Sequence, residues 1–194
     1  MAAKELVESR RTRYTRAAMQ DALMDLLAER PLARISVKEL CERADVNRST
    51  FYAHYENIDE LLRDVEDDAI AWVRGALDDI LSQPDPAGIG QVVERICQYI
   101  ADNSRHLQVL MSPKADLGFQ QQLLGLIYSR PEAAAQLAAA SGAGSAADPA
   151  EAEMRMRFAV SGAIGLLQHW LATDLHIPAP TIARIICAMT LQSR

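Results

Sequence analysis

The sequence predicts an all-α protein. Alanine and leucine dominate its 194 residues, whereas runs of valine, isoleucine, threonine and aromatic residues are scarce, which favours helices over strands. Apolar residues recur every three or four positions along most of the chain, the period of an amphipathic helix. Hydrophobic residues make up 49% of the chain and aromatic residues only 5%, so packed cores must be built mainly from aliphatic side chains.

The first predicted helix covers residues 9–29 and ends before Pro31, which cannot continue it. Its apolar face consists of Ala18, Ala22, Leu23, Leu26 and Leu27. A second helix of about two turns follows Ser36, because Ser36 suits the N-cap and Glu39 three residues later completes a capping box. The apolar residues of this helix are Val37, Leu40, Cys41 and Ala44.

A third short helix is predicted over residues 48–54. A fourth is predicted over residues 58–81, since Asn57 suits its N-cap and the acids at positions 59 and 60 favour the positive end of a helix dipole. Further helices are predicted over residues 89–103, 106–111, 116–128, 151–175 and 178–191. Residues 131–140 are expected to add another turn or two, and the Gly/Ala/Ser-rich residues 141–149 to form a flexible loop.

The segment of residues 33–55 has the most informative pattern, two short helices joined by a tight turn. This arrangement suits DNA, because the second helix can enter the major groove while the first braces it against the backbone. Cys41 and Ala44 are small where the helices would cross, and Asp45 tolerates the left-handed backbone that the turn needs. The positions predicted to face the first helix are apolar: Leu40, Val46 and Phe51.

The exposed face of the third predicted helix carries side chains that can reach base edges and phosphates. They are Asn47, Arg48, Ser49, Tyr52 and His54. Ser49 and Thr50 have low helix propensity, which contact with DNA or a position at the helix start would explain. The alternative is a solvated polar face on an ordinary helix.

The segment from about Arg10 to Val65 resembles the DNA-binding domain of the TetR family of bacterial regulators. The resemblance rests on the Ala22/Leu26 face, on SVKELCERADVNRSTFYAHY and on the following ENIDELLRDV. It implies a helix-turn-helix DNA-binding domain of three helices over residues 9–57. A helical dimerisation and effector-sensing domain over residues 58–194 would complete an all-α chain of about nine helices.

The family pattern also implies the DNA contacts. The predicted DNA-binding residues are Ser36, Lys38, Asn47, Arg48, Ser49, Thr50, Tyr52 and His54. Tyr52 is expected to bind a phosphate through its hydroxyl. Thr50 is expected either to contact DNA or to cap the third helix. Ser36 and the free backbone amides at the start of the second helix are expected to lie near the phosphates. Ile58 departs from the family, because many relatives carry a phosphate-binding lysine there, and Asp45 replaces the usual glycine of the turn.

The segment MRFAVSGAIGLLQHWLATDL and the helix after it are similar to regulators of dihydroxyacetone-kinase operons, whose effector can be a protein instead of a small molecule. Its glycines stand at helical spacing and would let another helix approach closely. We therefore predict a four-helix dimer interface, two helices from each subunit. Its residues are Phe158, Gly162, Gly165, Leu166, Ile182, Ile185, Ile186 and Met189. The alternative is that both helices bury these faces within their own subunit.

Apolar and aromatic residues between the long helices are candidates to line a ligand pocket. They are Trp72, Tyr99, Met111, Phe119, Tyr128 and Phe158. The alternative is that they form plain core. Three histidines, at positions 106, 169 and 176, share no metal-ligand spacing, so neither a metal nor a cofactor is expected.

The net charge of −6 is unevenly distributed. Residues 1–63 carry 11 basic and 11 acidic residues, whereas residues 64–194 carry 9 and 15. Arg10, Arg11, Arg13 and Arg16 form a basic cluster, which can bind phosphates while the acidic body is repelled from DNA. The alternative is an ordinary solvated helix start.

The chain lacks the features of an enzyme, a membrane protein or a secreted protein. It has no GxSxG, glycine-rich phosphate loop or HExxH, so no enzymatic activity is expected. It has no run of about 20 apolar residues and no apolar signal segment. Cys41, Cys97 and Cys187 are scattered without a CxxC pair, as in a cytoplasmic protein with reduced thiols.

The resemblance implies a homodimeric repressor that binds a palindromic operator in double-stranded DNA. An effector, either a small molecule or a partner protein, would change the spacing of the two DNA-binding domains through the fourth helix. The alternative is a coactivator or partner-controlled regulator of the same fold without a small-molecule pocket.

Overall fold

The computed structural model describes residues 10–83, 85–112, 117–130, 132 and 148–191. Within these ranges the chain forms α-helices and one 3-10 turn but no strand, which confirms the predicted all-α class. The nine helices there are α1 (Arg10–Glu29), α2 (Val37–Arg43), α3 (Arg48–His54), α4 (Ile58–Ser82), α5 (Pro86–Asp102), α6 (Ser104–Leu110), α7 (Leu117–Tyr128), α8 (Pro149–Ala172) and α9 (Ala179–Leu191). The 3-10 turn Leu32–Arg34 follows α1. None of the described helices is both long and apolar enough to cross a membrane.

The predicted local signals at the helix ends are confirmed. Ser36 Oγ accepts a 3.3 Å hydrogen bond from the Glu39 amide, and the Glu39 carboxylate accepts one of 3.1 Å from the Ser36 amide, which is the capping box. Asn57 Oδ1 accepts a 2.8 Å hydrogen bond from the amide of Glu60 at the start of α4. Asp45 has a φ of 52°, the left-handed backbone that the turn between α2 and α3 requires.

The chain divides into two compact units. One comprises the residues up to Asp68 together with 112–115, and the other comprises residues 69–111 and those from Asp116 onward. Helix α4 therefore contributes residues 58–68 to the first unit and residues 69–82 to the second. The predicted boundary between residues 57 and 58 stays a prediction.

The first unit is stabilised by a mainly aliphatic core to which the aromatic residues Phe51 and Tyr55 are added. Side chains that are at most 1% exposed are Met19, Leu23, Met24, Leu26, Leu27, Leu40, Phe51 and Leu61. Leu40 and Phe51 are buried as predicted, whereas Val46 is half-buried. Ion pairs of 3.0–3.1 Å join Arg43 to Glu29 and Arg30 to Glu39. Such exposed pairs each contribute at most about 1 kcal/mol, so the core dominates.

The core of the second unit lies where α9 packs along α5 and α8. Its buried members include Ile89, Val93, Cys97, Trp170, Ile182 and Ala183. The indole Nε1 of Trp170 donates a 2.7 Å hydrogen bond to the carbonyl of Ile177, which ties the end of α8 to the turn before α9. This bond lets the Trp170 ring be buried with its polar atom satisfied.

Helix α8 ends earlier than predicted, at Ala172 instead of residue 175. Asp174 and Leu175 have φ values of 51° and 54°, and the Leu175 amide donates a 3.1 Å hydrogen bond back to the Trp170 carbonyl. This 6→1 bond closes the helix end with two left-handed non-glycine residues, a stop that no glycine announces in the sequence. The turns predicted over residues 131–140 and the loop predicted over 141–149 fall almost entirely outside the described residues.

Candidate nucleic-acid interface

Helix α3 has one buried and one exposed face. Phe51 is fully buried, whereas Arg48 and Ser49 are exposed and Tyr52 is 59% exposed. His54 is half-buried, with its ring 6.2 Å from that of Tyr55. Because the apolar side is embedded in the core, the polar side can be presented to a large partner without unfolding the helix.

Arg48 and Tyr52 are the longest side chains exposed on this face. Within the described residues the Arg48 guanidinium forms no ion pair, and the Tyr52 hydroxyl forms no hydrogen bond. The Tyr52 ring packs edge-on against Phe51, with centroids 5.3 Å apart. The ring is thus supported from the core while its hydroxyl faces water, which suits a phosphate contact.

The start of α3 is organised by Asn47, the N-cap residue. Its side-chain oxygen accepts hydrogen bonds from the Thr50 amide at 2.7 Å, the Thr50 hydroxyl at 2.8 Å and the Ser49 hydroxyl at 2.6 Å. Asn47, Ser49 and Thr50 thus form one cluster, in which Ser49 is exposed and Thr50 half-buried.

The predicted contacts of α2 lie at its exposed first turn. The Ser36 hydroxyl donates a 2.8 Å hydrogen bond to Glu39, and the hydrogen bonds from Ser36 hold the pKa of Glu39 below its ordinary value. Lys38 Nζ lies 3.8 Å from Glu42, and both side chains are about two-thirds exposed. A pair so exposed is weak, so Lys38 can exchange Glu42 for a phosphate.

The C-terminal end of α3 is held by a charged cluster centred on Asp64. The Asp64 carboxylate accepts hydrogen bonds from the Arg16 guanidinium at 2.5 and 2.6 Å, the Tyr55 hydroxyl at 2.6 Å and the Gln20 amide at 3.2 Å. Burial raises the pKa of Asp64, but the hydrogen bonds from Arg16 and Tyr55 outweigh it and leave the pKa below its ordinary value. The pKa of Tyr55 is raised, mainly because the residue is buried and secondly because its hydroxyl is hydrogen-bonded to Asp64.

Sequence reasoning missed this cluster and placed Arg16 with the basic residues at the start of α1. Arg16 and Asp64 are 48 residues apart, and no local pattern pairs them. Arg10, Arg11 and Arg13 differ from Arg16, because they are exposed and no ion pair of theirs lies within the described part of the chain. Ile58, at the position where many relatives carry a lysine, is buried in the core.

The predicted pocket residues of the second unit differ in how deeply they are buried and in what they contact. Trp72 and Tyr99 are half-buried and stacked, with ring centroids 3.7 Å apart and planes 8° from parallel. Phe119 is buried and Met111 half-buried. The centroid of the Tyr128 ring lies 4.8 Å from the guanidinium carbon of Arg157, and the Tyr128 hydroxyl lies 3.3 Å from the Ser161 hydroxyl. Phe158 is 82% exposed on α8.

The residues predicted for a dimer interface separate into three groups. Phe158, Gly162, Gly165 and Met189 are exposed, and Leu166 and Ile185 are half-buried. Ile182 and Ile186 are buried in the core of their own chain. Sequence reasoning missed Met154, which is 66% exposed and lies one turn before Phe158 on the same face of α8. Its i, i+4 spacing from Phe158 was the available signal.

Comparison with known families assigns the chain to one class of protein. Residues 21–65 match the family described as "Bacterial regulatory proteins, tetR family". Residues 89–192, more than half of the chain, match its "Transcriptional regulator C-terminal region". The chain belongs to the TetR family. It is therefore a DNA-binding transcriptional regulator, as the sequence predicted.

The chain is also similar to individual regulators. An uncharacterized HTH-type transcriptional regulator of Bacillus subtilis (strain 168), YxbF, is 41% identical over 61 residues, 31% of this chain but only 16% of the relative. The structure of FadR from Bacillus subtilis in complex with stearoyl-CoA is similar with a TM-score of 0.66 at 13% identity, covering 90% of this chain and 97% of FadR. The structure of the dihydroxyacetone kinase operon activator DhaS is similar with a TM-score of 0.54 at 16% identity, covering 91% of this chain and 94% of DhaS. At these low identities, the similarity to FadR and DhaS shows that this chain has the same fold as they do.

Proposed function

We propose that this TetR-family protein is a homodimeric repressor that binds a palindromic operator and is released by an effector. The observation that carries the proposal is the division of α3, with Phe51 fully buried on one side and, on the other, an exposed Arg48 that forms no ion pair with any described residue. A helix of two turns that is anchored in this way can enter the major groove and present a bidentate donor to guanine. As part of this proposal, the protein acts in the cytoplasm and regulates transcription through DNA binding instead of catalysis.

Phosphate contacts would orient this helix. Tyr52 presents its hydroxyl beside Arg48, and the exposed Lys38 presents its ammonium from α2. Arg10, Arg11 and Arg13 add three exposed positive charges at the start of α1. Groups of this kind bind every sequence alike and make binding dependent on salt, so base preference must come from the start of α3.

Exposed apolar and small residues on α8 support dimerisation. Met154, Phe158, Gly162 and Gly165 follow one another at spacings of four, four and three, and all are exposed in the single chain. A Cβ added at either glycine would meet nothing within 4 Å in the described part of the chain, so the packing of those residues does not require a glycine there. Each glycine costs about 1 kcal/mol relative to alanine in a helix interior, and close approach of a second copy would explain both.

The second helix of the proposed dimer surface is α9. Met189 is 78% exposed and Ile185 half-buried, whereas Ile182 and Ile186 face the core. We therefore restrict the proposed interface to the outward residues of α8 and α9. A two-fold axis through it would give two copies of α3, as a palindrome requires.

The effector is proposed to bind the second unit. The stacked pair Trp72 and Tyr99 offers half-buried aromatic surface between α4 and α5. FadR, which has the same fold, was crystallised with stearoyl-CoA, so a long-chain acyl-CoA is the first ligand to test. The similarity to DhaS supports the alternative, an activator or a regulator controlled by a partner protein.

Selection from a random double-stranded DNA library tests the proposal. We expect the protein to enrich a palindrome whose half-sites lie about 10 base pairs or a multiple of this apart. Placed in a promoter, this operator should lower reporter expression, and stearoyl-CoA, but not free coenzyme A, should restore it. Failure to enrich any sequence would contradict the proposal as a whole. Higher expression would identify an activator, and insensitivity to stearoyl-CoA would exclude that effector.

A further inference from the structure

The hydrogen bonds at Asn47 determine where the protons of two hydroxyl groups point. The Thr50 amide lies 2.7 Å from the terminal atom of the Asn47 side chain and can only donate, so this atom is the carbonyl oxygen Oδ1 and not the nitrogen. A carbonyl oxygen can only accept. The Ser49 hydroxyl at 2.6 Å and the Thr50 hydroxyl at 2.8 Å must therefore both donate their single proton to Asn47.

The outward side of Ser49 is consequently an acceptor. Its one proton is engaged with Asn47, and its oxygen lone pairs are what remains for an external partner. Ser49 is exposed, whereas Thr50 is half-buried and also supplies the amide that Asn47 caps. Ser49 is thus the hydroxyl of this pair that is better placed for a base.

We propose that Ser49 determines specificity by accepting a hydrogen bond from the exocyclic amino group of adenine or cytosine at one position of each half-site. Asn47 is then a positioning residue, because it holds the proton away from DNA. This inference rests on the proposed DNA-binding function and concerns side-chain hydroxyls, not the amides at the helix start.

An acceptor in the major groove distinguishes adenine and cytosine from guanine and thymine. Adenine N6 and cytosine N4 donate there, whereas guanine O6 and N7 and thymine O4 accept. Phosphate oxygens also accept, so Ser49 cannot bind a phosphate without releasing Asn47. An acceptor that meets another acceptor loses a hydrogen bond, so we expect adenine or cytosine to be preferred about five- to tenfold on the contacted strand.

The first test compares the base preferences of wild type and Ser49→Ala on an operator selected from a random library. We expect wild type to prefer adenine or cytosine at one position of each half-site, and Ser49→Ala to lose that preference only there. A second probe is the same operator with that base replaced by purine or 2-pyrimidinone, which lack the amino group. It should weaken wild-type binding about five- to tenfold and leave Ser49→Ala unaffected.

Variants of Asn47 test the positioning role. Asn47→Asp keeps both the cap and the acceptor, so it should retain the base preference even if its added charge weakens binding to all sequences alike. Asn47→Ala frees the Ser49 proton and should allow guanine or thymine at that position. Circular dichroism checks that Asn47→Ala folds, and if it does not, the base-analogue comparison still decides.

Two outcomes separate this inference from the proposed function. If wild type enriches an operator but Ser49→Ala shares its full base preference, the role of Ser49 is wrong and the proposed function stands. A wild-type preference at the Ser49-dependent position for guanine or thymine would overturn it equally. If wild type enriches no sequence, the proposed function itself fails.

Discussion

The hydroxyl of Tyr55, the C-cap residue of α3, donates a 2.6 Å hydrogen bond to Asp64 on α4. The same carboxylate binds the Arg16 guanidinium of α1 through both of its oxygens. One acidic side chain thus connects the end of the proposed recognition helix to both α1 and α4. Any movement of the first turns of α4 relative to α1 would have to strain or break these bonds.

Asp64→Asn should destabilise the first unit. The amide can still accept from Tyr55, but it loses the charge that pairs with Arg16, and we expect a loss of about 1–2 kcal/mol. Urea unfolding measures it. The matched control is Asp68→Asn, since Asp68 lies 3.2 Å from Arg16 but is 60% exposed and should cost at most about 0.5 kcal/mol. Equal losses in the free energy of unfolding of the two variants would show that the Asp64 cluster stabilises the fold no more than the exposed Asp68 pair does.

Stability should fall in acid partly because of Asp64. Its pKa is lower in the folded protein than in the unfolded chain, so it stabilises the fold above the unfolded pKa of about 4. This contribution is lost as the pH falls through the folded pKa. The difference in urea midpoint between wild type and Asp64→Asn should therefore be largest near neutral pH and shrink below about pH 4. A difference that stays constant down to the acid limit would contradict the assignment.

Arg48→Ala and Tyr52→Phe should separate base readout from phosphate binding. Loss of the guanidinium should weaken operator binding by about 1–3 kcal/mol and relax the preference at one base pair. Loss of the Tyr52 hydroxyl should weaken binding to all sequences alike, because a phosphate contact carries no base information. Fluorescence anisotropy with the selected operator and single-base variants measures both. If both variants bind like wild type, α3 is not the recognition helix.

Replacing both glycines of the α8 face, Gly162→Ala/Gly165→Ala, should weaken dimerisation while stabilising the helix. Overpacking of a close helix contact costs about 1–3 kcal/mol, a change in dimer Kd of about five- to 150-fold. Sedimentation equilibrium measures the Kd. Gly75→Ala is the control, since Gly75 is also exposed within a helix and a Cβ there meets nothing within 4 Å. An unchanged dimer Kd in the double variant would place the interface elsewhere.

Cys97 should be the least reactive thiol of the native protein. It is fully buried, and burial raises its pKa to about 12, so almost no thiolate exists at pH 8. Cys187 is half-buried and lies against the same core. Iodoacetamide labelling followed by mass spectrometry should modify Cys187 before Cys97, and Cys97 only when the second unit opens. Rapid modification of native Cys97 would contradict its burial.

The helices of the first unit and the family of the protein could both be predicted from the sequence alone. The capping box of Ser36 and Glu39, the N-cap Asn57 and the left-handed Asp45 depend on residues within one turn of each other, so local chemistry is sufficient to predict them. The buried positions Leu40 and Phe51 followed from helical periodicity for the same reason.

Which polar groups pair with one another, and which apolar surfaces stay exposed, depends on long-range packing that no local sequence pattern contains. Phe158 and Ile182 are both apolar residues at helical spacing, yet the first is 82% exposed and the second 1%, because periodicity finds a face but not what covers it. The pairing of Arg16 with Asp64 brings together residues 48 positions apart. The proton of Ser49 is directed by a distance and an angle to Asn47, quantities that exist only once the chain has folded.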